Sequence, residues 1–272
     1  MIRYPGSKAK LSRKIVEWYF PYEVRCLDYH EPFAGAAYTY KRIIRNGLPF
    51  RSFHLSDKFD WIANYLLALR GDRRCLDGTD LADAIEEAHK RFLPEADHEP
   101  EIRAEFERLK PACRAGCPFA YLFLASYSNQ QYLYPQRRNT ASFHPQFLRG
   151  GISVASRAKA LEWRALLRRA TVSQADAFDV LPSLGSDAFA YVDPPYVTHG
   201  KFRLYGCEFE RDDHHRLAEI LRAAPYKWCL SYGDRPLVRE LYRGFDFRWL
   251  HRSHQGTRSK HPEHGEWLIR NC

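Results

Sequence analysis

The sequence predicts an α/β protein: a doubly wound mixed sheet interrupted by a mostly helical insertion. Three observations carry this. Short apolar runs with strand character alternate with helical periodicities through residues 1–71 and 151–272. Acidic or small residues recur where those strands end, at Glu31–Ala37, Asp57, Asp176 and Asp193. Open α/β sheets bind their ligands along that edge. Residues 72–150 break the alternation with helical patterns and no strands. The expected organisation is therefore one sheet domain, 1–71 and 151–272, and one inserted domain, 72–150.

Taken in order, Tyr4, Pro5 and Gly6 precede Ser7, which can cap a helix carrying Leu11, Ile15, Trp18 and Tyr19 at helical spacing. Lys8 falls in the first turn, where the macrodipole disfavours a cation; a lysine there suits binding of an anion such as a carboxylate. Arg25–His30 reads as a strand. It leads into Glu31-Pro32-Phe33-Ala34-Gly35-Ala36-Ala37, a turn of small residues that lets a ligand lie against the backbone. A helix with Tyr40, Ile43 and Ile44 follows and ends at Asn46-Gly47. The turn lacks GxGxxG spacing, which argues against a nicotinamide dinucleotide. Phe53–Ser56 is the next strand. Asp57 at its end is placed to accept from ribose hydroxyls. Trp61, Ile62, Tyr65, Leu66 and Leu69 mark a helix closed by Gly71.

In the insertion, Leu81, Ala84, Ile85, Ala88 and Phe92 mark one helix, Ile102, Phe106 and Leu109 a second, and Pro118–Tyr127 a third. Ser128, Asn129, Gln130, Gln131, Tyr132, Arg137, Arg138 and Asn139 then interleave amides and arginines with aromatics. Those are side chains that read base edges and wedge between bases. Beyond Gly150-Gly151, Ser156–Arg169 is a helix with Ala158, Leu161, Ala165 and Leu166 inward and a basic outer side. Thr171–Gln174 and the run ending at Val192 are strands. Lys201–Phe209 reads as a flap beside the site. Asp212 or Asp213 starts a helix with Leu217, Ile220 and Leu221 inward. Lys227–Ser231, Phe245–Leu250 and Glu266–Arg270 are the last strands, and a long basic loop between the final two suits phosphate contact.

Composition narrows the class. The chain has 42 Lys plus Arg against 33 acidic residues, a net charge of +9, which favours a polyanionic partner such as nucleic acid. No run of 18 apolar residues predicts a membrane span. The opening residues lack an apolar signal core, so a cytoplasmic protein is expected. Its seven scattered cysteines are expected to be reduced thiols. Cys113 and Cys117 have no second pair at zinc-finger spacing. The two HxxH pairs, His251 with His254 and His261 with His264, read as solvated loop residues near a polyanion. No metal is expected.

The chemistry concentrates in Asp193-Pro194-Pro195-Tyr196. Two prolines end the strand and hold the segment rigidly at its carboxyl end. Asp193 can accept from an exocyclic amino group, the Pro194 carbonyl can accept its second N–H, and Tyr196 offers a face on which a base can stack.

This ordered set closely resembles the Dam-type DNA adenine-N6 methyltransferases of the DPPY class. Tyr4-Pro5-Gly6-Ser7-Lys8 matches the family's opening aromatic-x-G-x-K. Glu31-Pro32-Phe33-Ala34-Gly35 matches its cofactor turn, and Asp57 and Asp176 match its later acidic positions. Asp193–Tyr196 matches DPPY itself. Asp213-His214-His215-Arg216-Leu217 matches a later D-H-x-R-L-like stretch, and Arg258, Lys260, Glu266, Leu268 and Ile269 the closing R-x-K…E-x-L-I pattern. The resemblance implies a methyltransferase fold of the Rossmann-like type with S-adenosylmethionine as cofactor. It implies that Tyr4, Gly6, Lys8, Glu31, Pro32, Phe33, Ala34, Gly35, Ala36, Asp57, Asp176, Ala177, Phe178 and Asp193 form the cofactor site, with Lys8 on its carboxylate. It implies a flipped-out adenine held by Asp193, Pro194, Pro195 and Tyr196. Double-stranded DNA is the expected partner, bound by a monomer through residues 128–139, Arg258 and Lys260, with a cognate restriction endonuclease as a candidate second partner. The insertion lacks the glycine-containing stretch of better-known relatives, so their target sequence does not carry over.

Other readings remain open on the sequence. N4-cytosine methylation and RNA adenine methylation use the same amine-holding chemistry. A non-enzymatic DNA-binding protein would have no need of Lys8, Asp57 and an intact DPPY.

Overall fold

The computed structural model describes residues 8–20, 24–92, 98–128, 142–148, 152, 157–197, 209–251 and 265–271. A seven-stranded sheet has the order β3-β2-β1-β4-β5-β7-β6. The strands are β1 (Asp28–Glu31), β2 (Ser52–Asp57), β3 (Thr171–Gln174), β4 (Ala188–Val192), β5 (Lys227–Tyr232), β6 (Asp246–His251) and β7 (Gly265–Arg270). β1 runs parallel to β2 and β4, and β4 to β5; β7 is antiparallel to both β5 and β6. The sheet is mixed, as expected for a doubly wound chain closed by a reversed final strand.

By contact density the chain divides into two units. The first contains Lys58–Gln174 together with Met1–Ser7 and Leu204–Gly206. Its helices are α3 (Asp60–Arg70), α4 (Leu81–Phe92), α5 (Glu99–Arg114), α6 (Pro118–Tyr127) and α7 (Arg157–Leu167). The unit thus adds α3 and α7 to the helices of the insertion. Its core is aromatic: Trp61 packs on Tyr121 with ring centroids 4.8 Å apart, and Phe123 on Tyr127 at 4.9 Å. Gly71 ends α3 at φ 99°, a left-handed conformation that glycine adopts without the Cβ penalty.

The inward face of α7 is not the expected one. Ala160, Trp163 and Leu167 are buried, whereas Leu161 is exposed. Trp163 brings the helix's largest side chain inward, and Arg164 on the same helix reaches Asp80. Both Asp80 oxygens accept from Arg164, at 2.8 and 2.9 Å. Buried Cys75 and Cys117 share a side-chain hydrogen bond in this unit. Cys26, Cys75, Cys113, Cys117 and Cys229 are free thiols.

The second unit, Lys8–Asp57, Ala175–Arg203 and Cys207–Cys272, holds the other helices: α1 (Ser12–Tyr19), α2 (Tyr38–Arg45), α8 (Ala177–Val180), α9 (Arg211–Ala223) and α10 (Pro236–Leu241). β4 is buried along its whole length, and its period of two feeds two cores. Phe189 and Tyr191 face an aromatic group with Phe20, Tyr29 and Phe50, with the Phe20 and Phe189 centroids 4.7 Å apart. Ala188, Ala190 and Val192 face Trp228, Leu230, Leu217 and Leu221 on the other side. The cap of α9 is Glu210, which forms a capping box with Asp213 rather than leaving Asp212 or Asp213 to start the helix. A short 3₁₀ turn, Lys8–Lys10, precedes α1; Ser7, expected as its cap, lies outside the described residues. Among the described residues no helix is long and apolar enough to cross a membrane.

Candidate active site

β1 and β4 are parallel neighbours, but the chain leaves them in opposite directions: from β1 it goes to β2, from β4 to β5. Their carboxyl ends therefore flank the point where the winding reverses, where a crevice opens in such sheets. Glu31–Ala37 leaves one strand there and Asp193–Tyr196 the other.

The turn after β1 is fixed by its own backbone and by β2. The Ala34 amide donates to the Ser56 carbonyl at 2.9 Å, and the Gly35 amide to Oδ2 of Asp57 at 3.0 Å. Gly35 and Ala37 both have positive φ, 47° and 50°. Alanine rarely adopts that conformation, so the turn imposes it. Asp57 ends β2, is buried, and shapes the turn directly. Glu31 is buried as well. Its Oε2 accepts from the Tyr29 hydroxyl at 2.8 Å and from the Tyr40 amide, in the first turn of α2, at 3.1 Å. Burial pushes the Glu31 carboxyl up to about 8, so it is largely protonated at neutral pH. Asp176 caps α8, accepting from the Phe178 amide at 3.0 Å. Phe209, the one described residue of the expected flap, stacks on Phe178 (5.8 Å, 12°) and meets Phe33 edge-on at 6.1 Å.

After β4 the side chains converge on one cation. The Lys8 ammonium lies 2.7 Å from Oδ1 of Asp193 and 3.6 Å from Oε2 of Glu266, and it donates to the Tyr196 hydroxyl at 2.9 Å. That hydroxyl has one proton to give. Glu266 Oε2 is 2.9 Å away and Asp193 Oδ1 3.3 Å. The Lys8 and Glu266 side chains are 4% and 0% exposed, and Asp193 18%. Two carboxylates thus face one ammonium out of water. Burial pushes the Asp193 carboxyl up, Lys8 pulls it down and Glu266 pushes it up again, to about 6. The Tyr196 ring packs on Tyr232 at 5.6 Å, and Val197 beyond it accepts from Arg235 at 3.2 Å, which pins the end of the segment.

Asp193, Pro194, Pro195 and Tyr196 are thus held together with Lys8 at the strand end, and Glu31, Asp57 and Asp176 lie at the ends of, or just beyond, their strands. Lys8, the residue expected to meet a ligand's carboxylate, lies against the carboxylates of Asp193 and Glu266. Ser128 is buried, in a bridge with Phe143 next to the His144 amide's 2.9 Å bond to the Tyr127 carbonyl. Tyr4, Gly6, Asn129, Gln130, Gln131, Tyr132, Arg137, Arg138, Asn139, Arg258 and Lys260 lie outside the described residues.

A model of the D12 class N6 adenine-specific DNA methyltransferases matches residues 4–257. The chain belongs to that family. It is an adenine-specific DNA methyltransferase, with the methyltransferase α/β sheet described above and DNA as its substrate. No curated protein matches the chain. Membership settles adenine over cytosine and DNA over RNA.

In this D12-class methyltransferase, two residues at the site were not singled out from the sequence. Phe209 closes an aromatic group with Phe33 and Phe178. Glu266 was noted only as part of a closing pattern. Its signal was present: an acidic residue on the buried phase of a strand, two positions before fully buried Leu268.

Proposed function

We propose that the protein transfers a methyl group from S-adenosylmethionine to the N6 amino group of an adenine flipped out of duplex DNA. The observation that carries this reading is the rigid Asp193–Tyr196 segment, with its carboxylate held beside Lys8 at the switch point. The donor set fits the cofactor. Ala34, Gly35 and Ala36 leave the turn without bulk, Asp57 and Asp176 supply acceptors for hydroxyl and amino groups, and Phe33 and Phe178 supply flat apolar faces. S-adenosylmethionine supplies an electrophilic methyl group on a sulfonium.

The chain's own residues do the rest. Asp193 and the Pro194 carbonyl accept the two amino hydrogens and orient the nitrogen lone pair. The Tyr196 ring supports the base. Asp193 is also the acceptor for the proton that N6 must lose. Lys8 keeps the Asp193 carboxylate ionised and aimed. Catalysis on this reading is positioning and electrostatics. We assign target reading to the insertion, 72–150, and within it to residues 128–139, with Arg258 and Lys260 on phosphate. The enzyme acts as a cytoplasmic monomer, and a cognate restriction endonuclease would make it one half of a modification pair.

The test is direct. Incubation with S-adenosylmethionine and unmethylated genomic DNA, followed by single-molecule mapping, should reveal N6-methyladenine within one short motif. Absence of modified adenine under conditions where the cofactor binds would refute the reading.

Two further outcomes follow. Because the accepting form of Asp193 is the carboxylate, kcat should fall as pH drops through about 6. A flat profile from pH 8 to 5 would mean that another group limits the rate. A Cβ at Gly233 would lie 3.2 Å from Cδ2 of Tyr196, so the ring must yield by a few tenths of an ångström. A 1 Å misplacement can cost ~10²-fold, so Gly233→Ala should lower kcat by about 3- to 10-fold with the fold intact. Unchanged turnover would show that the ring's position is not limiting.

A further inference from the structure

We propose that Glu266 is a positioning residue of the methyl-transfer site, the second carboxylate that holds Lys8 and takes the Tyr196 proton so that Asp193 is left to serve the substrate. The inference rests on the assignment of Asp193 as acceptor of the amino group.

The argument begins with β7. Glu266 precedes Trp267, Leu268 and Ile269, and its side chain is fully buried. The register pairs Leu268 with Ser231, and the Ser231 hydroxyl bonds that of Tyr191 at 2.7 Å. The alternation of β7 and β4 thus puts Glu266 on the face of Tyr191 and Asp193. A charge there is costly unless it is paired and hydrogen-bonded. Here it has both kinds of partner: the Lys8 ammonium at 3.6 Å and the Tyr196 hydroxyl at 2.9 Å.

The proton count then fixes the roles. The Tyr196 hydroxyl accepts from Lys8 and can donate its proton to one carboxylate. The Glu266 contact is shorter than the Asp193 contact by 0.4 Å, taking 2.9 from 3.3 Å. With Tyr196 committed to Glu266, Asp193 is not asked to accept from the protein's own phenol. The Lys8 ammonium is likewise anchored from two sides and cannot follow Asp193 alone. Such an arrangement fixes the carboxylate that touches substrate through groups that do not. The ionisable groups around Glu266 are Lys8 from the N-terminal turn, Asp193 and Tyr196 after β4, and Tyr191 within β4. Glu31 at the end of β1 acts on Lys8 and Asp193.

A structural carboxylate and a positioning one differ in a measurable way. Glu266→Gln keeps the size of the side chain and an oxygen for Tyr196, but removes the charge that opposes ionisation of Asp193. The acidic limb of the pH–rate profile should then move to lower pH. Glu266→Ala removes the Tyr196 acceptor too, and should lower kcat about 10- to 100-fold with KM for DNA little changed. Independently of turnover, ¹³C-carboxyl aspartate NMR of the ligand-free protein should show one resonance titrating near 6, absent in Asp193→Asn and moved to lower pH in Glu266→Gln. That spectrum needs neither cofactor nor DNA. An Asp193 resonance unmoved by Glu266→Gln overturns the inference even if the enzyme methylates adenine. A moved resonance in a protein that transfers no methyl group upholds the geometry and removes the functional reading instead. A folded Glu266→Ala variant with wild-type kcat also overturns it.

Discussion

Asp193→Ala is expected to lower kcat by about three orders of magnitude while leaving the protein folded; loss of one preorganised group facing the developing charge costs ~10²–10³. The loss exceeds that of one hydrogen bond because Asp193 is both the oriented acceptor of the amino group and the base for its proton. Survival of the fold follows from the charges around it. Lys8 faces two carboxylates, at 2.7 and 3.6 Å. Removing Asp193 leaves one ammonium and one carboxylate, a neutral pair, rather than an unpaired buried cation. Removing a carboxylate whose ionisation is opposed by burial and by Glu266 also relieves that cost. Asp193→Asn should fail as well, since its amide can turn a donor toward an amino group that needs acceptors. The measurement is single-turnover transfer of a labelled methyl group, with circular dichroism and the melting temperature as controls. Turnover above a tenth of wild type in a folded Asp193→Ala protein would refute the role given to it.

Much of this site could be read from the sequence because its signals are local. FAYVDPPY carries its own strand, its own stop and its own acceptors, and the structure puts them at the end of β4. The small-residue turn was legible as a turn, but the left-handed conformations of Gly35 and Ala37 that hold it were not. What escaped notice depends on distance along the chain. Lys8 and Asp193 are 185 positions apart and Tyr196 and Glu266 are 70, and no periodicity couples them. Only the sheet order brings β7 beside β5 and sets Glu266 near the switch point. Boundaries also shifted for physical reasons. The first strand starts at Asp28 rather than Arg25, and it includes Glu31, whose carboxyl group is held by Tyr29 and by the amide of Tyr40. The inward face of α7 departs from its leucine and alanine spacing because Trp163 and the Arg164–Asp80 ion pair, both tertiary contacts, set it.

That ion pair predicts the largest stability effect in the helical unit. Asp80 is buried just ahead of α4, and its carboxylate accepts four hydrogen bonds. Two bonds come from Arg164, one from Arg74 at 3.2 Å, and one from the Ala82 amide at 2.9 Å, which caps the helix. Asp80→Ala removes all four and leaves Arg164, 18% exposed, with the Leu69 carbonyl at 3.3 Å. Breaking a buried pair by removing one partner costs ~3–5 kcal/mol, and the partial exposure of Arg164 sets the expectation at about 3. Asp80→Asn keeps an oxygen for the cap and should cost less, about 2 kcal/mol. The pH dependence has a definite sign. Burial raises the Asp80 carboxyl, but Arg164, the Ala82 amide and Arg74 outweigh it and hold the group below the usual carboxylate range. Its contribution is therefore complete above the unfolded value of about 3.9 and disappears as pH falls through the lower folded value. Denaturant unfolding followed by helical circular dichroism should show the full gap between wild type and Asp80→Ala at pH 7, and a shrinking gap toward pH 3. A gap below 1 kcal/mol at pH 7, or one that does not change with pH, would mean that α4 and α7 are held by Ala160, Trp163 and Leu167 alone.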